Sequence, residues 1–284
     1  MPSSASLPKR KHWSFWRQSW PGLIGGLVLG MLILASVLAH LVSPADPLAM
    51  APDQAFLAPS AAHPFGTDEF GRDLLSRVIY GTRTSVAIAT GVVLIAGAIG
   101  IPLGLIAGYV GGVIDALIMR LVDVILAFPA ILLAVGLVAV LGQGAINGMI
   151  AVIIVSIPAF ARLVRASTLQ HKDLEYVLAA RAIGASDGRI MLRAILPNCL
   201  PPVLVQAAIN AGQAVLLEAA LSFLGLGVVP PAPSLGNMLN SARLVLYRAP
   251  WYGLFPGVAL TLLVLSVNVL ADSGQKLLSR GIIR

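Results

Sequence analysis

Six stretches nearly free of charge, at about 22–42, 85–109, 120–141, 148–164, 200–224 and 251–270, constrain this chain more than any other feature. Each is long enough to cross a ~30 Å hydrocarbon core as a helix, and lipid offers a backbone no hydrogen-bond partner but itself. With 58% hydrophobic and only 11% charged residues, the chain carries more apolar surface than a water-soluble core can hide. The expected class is an all-α integral membrane protein with six transmembrane helices.

The net charge of +7 does not indicate nucleic acid, because the basic residues gather near span ends. Lys9, Arg10, Lys11 and Arg17 stand among Trp13, Phe15, Trp16 and Trp20, the composition of a juxtamembrane segment. The apolar run that follows is longer than a signal-peptide core of ~7–15 residues and reads as an uncleaved span. Six spans place both termini on one side. With the 173–198 loop on that same side, fourteen of the nineteen Lys and Arg lie there, which makes it the cytoplasmic side. The single cysteine, Cys199, excludes an internal disulfide, and four scattered histidines offer no metal cluster. No phosphate-binding Gly-x-x-x-x-Gly-Lys loop and no hydrolase or metalloprotease motif occurs, so the expectation is a protein that is not an enzyme and binds no metal or cofactor itself.

The longest polar interruption of the second half is 173–198. Leu174, Val177, Leu178 and Arg181 share one helical face, and Gly184 suits the left-handed residue that ends a helix. Ser186 and Asp187 can cap a second helix, in which Ile190, Met191, Ala194 and Ile195 are the apolar face and Arg189 and Arg193 the other, with Pro197 as its expected stop. Small residues at Ala179, Ala180 and Ala182 leave room for another backbone. A helix pair lying on lipid headgroups is the competing reading.

Between the first two spans, Asp68 is expected to cap a short surface helix with Leu74, Leu75, Val78 and Ile79 as its apolar stripe. Gly100, Gly104, Gly108 and Gly112 repeat every fourth residue, a spacing that lets membrane helices approach closely. Asp115 and Asp123 share a stripe, with Arg120 in reach of Asp123, and Pro102 and Pro129 mark kinks. In the fifth span Gln206, Asn210, Gln213 and Glu218 form a polar series, read either as lining an aqueous path or as bonding a neighbouring helix.

The 173–198 segment resembles the "EAA" coupling loop of ABC-importer permeases, carried by Ala179, Ala180, Gly184, Leu196 and Pro197 at the family spacing. Leu178 replaces the name-giving Glu and Ala194 the first Ile. Gly66, Thr67, Asp68, Gly71, Arg72 and Asp73 resemble the signature of the C-type subunits of dipeptide, oligopeptide and nickel importers. Glu218, Ser222 to Gly227, Pro231, Gly236 and Asn237 resemble a later segment of the same subunits, where Leu235 replaces the usual Trp.

The resemblance implies a type I ABC importer permease fold with a cytoplasmic helix–turn–helix coupling loop at 166–198, contacting an ATPase through Leu178, Ala179, Ala180, Gly184, Ala185, Leu196 and Pro197. It further implies a cytoplasmic tail (1–21), a first span (22–43), an extracytoplasmic loop with a surface helix (44–84), a permease core (85–273) and a cytoplasmic C-terminal tail (274–284). The implied partners are a second related permease subunit, two ABC ATPase subunits carrying the ATP and Mg, an extracytoplasmic solute-binding protein and membrane lipid, with no nucleic acid. A self-sufficient ion-coupled carrier is the rival, and predicts midplane carboxylate pairs or inverted repeats that this sequence does not display.

Overall fold

A computed structural model describes the backbone of residues 13–281 and the side chains of residues 20–276. Lys9, Arg10, Lys11 and the side chains of Trp13, Phe15, Trp16 and Arg17, assigned above to a basic tail, lie outside those described residues. The chain is helical almost throughout: α1 (Trp13–Val37), α2 (Ala39–Val42), α3 (Leu74–Val110), α4 (Gly112–Leu126), α5 (Ala130–Leu141), α6 (Ala145–His171), α7 (Glu175–Ala182), α8 (Asp187–Arg189), α9 (Leu196–Phe223), α10 (Leu235–Ala242) and α11 (Pro250–Gly281). Among the described residues five helical rods are long and apolar enough to cross a membrane, and the bent pair α4–α5, taken as one span, makes a sixth. Residues 43–73 sit at one end of the bundle, the loop end, and residues 172–195 at the other, the hairpin end.

Six features depart from the sequence expectation. The helix expected on the membrane surface is the first three turns of α3, continuous with the second span. Its cap is Asp73, not Asp68: the Asp73 carboxylate accepts from the Ser76 backbone N–H at 2.8 Å, the geometry that satisfies a first-turn donor. The third span does not begin near Arg120. It begins at Gly112 and breaks at Ala127–Pro129, where α4 and α5 meet at 91°. Pro129 lacks an N–H and disfavours a helical Phe128, so the ladder stops there.

Asp123 pairs not with Arg120 but with Arg162 of α6 at 2.6 Å, and Asp115 with Arg165 at 2.5 Å. Pro197, finally, stops nothing: residues 187–223 form one continuous rod, with a π-helical segment at Ile190–Ile195 leading into α9. A widened turn accommodates a proline that cannot donate to the ladder, and the Asn198 side-chain amide donates to Ala194 O at 2.7 Å. The C-terminal helix likewise runs through the expected boundary at 274 as far as Gly281.

The glycine stripe is where α3 meets α6. A Cβ on Gly100 would lie 2.7 Å from the Phe160 Cβ, one on Gly108 2.7 Å from the Thr168 Cβ, and one on Gly104 would strike the Ala161 carbonyl. In lipid, where apolar burial does not drive helices together, such backbone approach supplies the packing. Gly112 lies outside this contact. The main apolar cluster joins Val92, Ala96, Phe160, Val164 and Leu221 to Val177, Ile190, Ile195 and Cys199, so the hairpin end shares a core with the spans. A second cluster, around Leu74, Met238 and Tyr252, serves the loop end.

Candidate functional site

At the hairpin end, α7 closes in a double turn. Ala185 N donates to Ala180 O and Gly184 N to Arg181 O, both at 3.0 Å, with Gly184 at φ +82°. This is the paired-bond helix ending that favours glycine at the left-handed position. Ser186 occupies the cap position of α8 without a side-chain bond. Asp187 is engaged elsewhere: the Tyr109 hydroxyl at the end of α3 donates to its Oδ1 at 2.6 Å, and Arg181 donates to the same hydroxyl at 3.3 Å. That bond raises the exposed Arg181 guanidinium above its ordinary pKa.

Val177, Ile190 and Ile195 anchor the segment, while Leu178, Ile183 and Leu192 stay exposed, Ile183 at 86%. A depression of about 260 Å³ runs past Ala180, Gly184 and Ala185 to Arg189 and Arg193. Of the seven expected coupling residues, those three line it. Ala179 and Leu178 are exposed on α7, and Leu196 and Pro197 lie in the first turn of α9. Tyr109 escaped the sequence reading, and Asp187, read there as a cap, is instead its partner; the signal was a tyrosine at the last turn of a span.

The six signature residues of the loop end form one buried knot. Asp68 Oδ1 accepts from the backbone N–H of Phe70 and Arg72, and Oδ2 meets Arg72 Nε at 2.6 Å and Arg77 Nε at 3.2 Å. Arg77 also donates to Pro47 O at 3.0 Å. Asp73, besides capping α3, takes His63 Nδ1 at 3.0 Å. Thr67 Oγ1 donates to Gln54 O and accepts from Leu57 N. Gly66 and Gly71 both have positive φ, and at Gly71 the backbone of Ala51 leaves no space for a Cβ. The two carboxylates are thus consumed by arginine, histidine and backbone donors, and the knot is an architectural element.

The polar series of α9 divides. Asn210 and Gln213 line a cleft of about 480 Å³ near mid-helix, facing the α4–α5 break and α6. Gln206 donates to Asn210 Oδ1 at 3.1 Å but does not line the cleft. Glu218 is also absent from it: it accepts from Ser85 of α3 at 2.7 Å, Ser222 at 2.9 Å and Ser234 at 3.2 Å, and ties α3, α9 and the α10 approach together. Across the cleft stand Ser156 and Arg162 of α6 and Phe128 at the break. Irregular backbone at membrane depth is tolerated only inside protein or beside a water-filled cavity, and the break is therefore unsuited to a lipid-facing surface.

Residues 100–284 match the family described as binding-protein-dependent transport system inner membrane component. The chain is 42% identical over 269 residues to the dipeptide transport system permease DppC of Alkalihalophilus pseudofirmus, covering 95% of this chain and 88% of that one. It is 43% identical to the glutathione transport system permease GsiD of Pectobacterium atrosepticum, covering 95% and 90%, and 44% identical to the di/tripeptide permease DppC of Pseudomonas aeruginosa, covering 93% and 89%. Among solved structures, the inward-facing MetNI methionine ABC transporter aligns with a TM-score of 0.59 at 21% identity, over 73% of this chain and 97% of that one. Broken third span, glycine-packed α3 and α6, and projecting hairpin together make the type I importer permease fold. The chain belongs to the binding-protein-dependent transport system inner membrane component family and is a multi-pass inner-membrane permease subunit of an ATP-driven importer, not an enzyme.

Proposed function

We propose that this subunit forms half of a translocation path for small peptides or a related small solute, and that the segment around Ala180–Ala185 seats in an ATPase on the cytoplasmic side. A second, related permease subunit supplies the other half. Two ATPase subunits carry the ATP and Mg, an extracytoplasmic solute-binding protein delivers the solute at the loop end, and both termini are cytoplasmic. ATP-driven closure of the ATPases moves the hairpin end, and the spans alternate between inward- and outward-facing states.

One observation carries the reading: an exposed apolar surface, Leu178 and Ile183, stands on a segment held from behind by Val177, Ile190 and Ile195. Such a segment transmits force rather than yielding to it. A helix pair resting on headgroups has no need of a shared core with the spans. The peptide-like solute follows from the transport names of the relatives, and Asn210 and Gln213 are the path residues of this half.

Single cysteines from Ala180 to Ser186 test the coupling role. The background is Cys199→Ala, because Cys199 is fully buried among apolar side chains and a serine hydroxyl would find no partner there. Nucleotide-sensitive crosslinks to the ATPase at these positions, and none from the loop end, are expected. Absence of any crosslink in an assembled, hydrolysing complex overturns the assignment.

A further inference from the structure

Two ion pairs join α4 to α6, and they differ. Asp115 and Arg165 form a two-point clamp, Nε to Oδ1 at 2.5 Å and Nη2 to Oδ2 at 2.6 Å, so the carboxylate is fully used. Three residues further into α6, Arg162 gives only Nη2 to Asp123 Oδ1, at 2.6 Å. Its Nε and Nη1 have no hydrogen bond among the described residues. Its side chain is 54% exposed, that of Asp123 is 52% exposed, and Arg162 lines the cleft of Asn210 and Gln213 whereas Asp123 does not.

The pair lies toward the hairpin end of the spans, where the apolar run 148–164 closes. Arg162 is turned into the cleft beside the α4–α5 break, and irregular backbone of that kind calls for protein or water rather than lipid beside it. Guanidinium presents donors in a planar fork that matches a carboxylate at two points, and a fork with one point engaged has the other free.

We infer that Arg162 is a carboxylate-recognising residue of the path, held in place by Asp123 and turned toward the cleft to meet the free carboxylate of a passing small solute. This rests on the reading that the cleft is part of the path. The remaining lining suits such a solute: Asn210, Gln213 and Ser156 offer neutral hydrogen bonds, and Phe128, Leu216 and Leu217 offer apolar contact. The site is a waypoint, since a carboxylate exchanged between solute and Asp123 costs the guanidinium no net partner.

The test needs no knowledge of the solute. Gln213→Cys, in the Cys199→Ala background and the complete transporter in proteoliposomes open to reagent from both faces, is labelled with anionic sulfonatoethyl and cationic trimethylammonioethyl methanethiosulfonate. Relative to the two reagents' rates with a free thiol, the anionic reagent is expected to be favoured by roughly tenfold. Arg162→Gln should abolish or reverse that preference, Arg162→Lys should retain it, and Asp123→Asn should increase it. Copurification of the ATPase subunits shows that each variant has folded and assembled. Equal labelling by both reagents, unchanged by Arg162→Gln, overturns the carboxylate site and leaves the aqueous path standing. No labelling by either reagent in an assembled complex means that the partner permease seals the cleft, and it overturns path and site together.

Discussion

The Tyr109 hydroxyl lies 2.6 Å from Asp187 Oδ1, so one hydrogen bond links the last turn of α3 to the start of the second half of the hairpin. The same hydroxyl accepts from Arg181 of α7, whose guanidinium lies 5.8 Å from the tyrosine ring. Both halves of the hairpin therefore report to α3 through one side chain. Tyr109→Phe keeps the ring and removes the bond, at a cost of about 1–2 kcal/mol for a charge-assisted hydrogen bond. The expected outcome is an assembled transporter whose ATP hydrolysis persists while transport per ATP falls several-fold, measured by uptake and phosphate release in the same proteoliposomes.

Gly104 tests the α3–α6 contact. A Cβ there would meet the backbone of Ala161 and the Val164 side chain, neither of which is a flexible end. Gly104→Val should separate the helices at a cost of about 3 kcal/mol, near the upper range for overpacking, and lower the midpoint of thermal unfolding in detergent. Gly136, inside α5, has no atom within 4 Å of its ideal Cβ, and Gly136→Ala should be neutral or stabilising by up to about 1 kcal/mol.

Asp68 sits between two arginines that are themselves buried. Asp68→Asn leaves the buried Arg77 without its anion and Arg72 with only Glu69, 3.8 Å away, and breaking such a cluster costs about 3–5 kcal/mol. Loss of order in 44–73 is expected, seen as faster cleavage of that segment by added protease. The spans, packed through a separate apolar cluster, should keep their helical circular dichroism.

Gly184 is a backbone requirement without a steric one: φ is +82° and no atom lies within 4 Å of an ideal Cβ. Gly184→Asn should be tolerated, because asparagine visits this conformation, whereas Gly184→Val should cost about 1–2 kcal/mol and loosen the turn. Crosslinking yield between the hairpin and the ATPase should follow that order.

The spans were legible because a run of twenty apolar residues has few alternatives, and the glycine stripe because a four-residue repeat defines one helix face. Gly184 was readable from its place between two amphipathic turns. The α4–α5 break was not, since whether Pro129 kinks or severs a helix depends on what surrounds it. Asp68 was misread as a cap because its partner Arg77 is nine residues away and the Pro47 carbonyl that steadies Arg77 is thirty. Glu218 could have been separated from Gln213 by arithmetic alone. Five residues turn a helix through about 140°, which places the two on different faces. Asp123 and Arg162, 39 positions apart, became neighbours only when α4 folded back on α6.

The unbroken helix from Leu74 to Val110 has a further implication. Its 37 residues extend roughly 55 Å, far more than a ~30 Å hydrocarbon core, so a good part of it stands clear of the membrane as a rigid post. The buried knot of Asp68, Arg72 and Arg77 is mounted on that post, and Tyr109 grips the hairpin from its other end. Height and heading of the loop end are thereby indexed to the spans residue by residue. Deleting one residue from 80–84 would lower the loop by about 1.5 Å and rotate it by about 100°, turning Leu74 and Val78 away from Met238 and Tyr252. The length of the helix beneath this loop therefore sets the height and angle at which it stands above the spans.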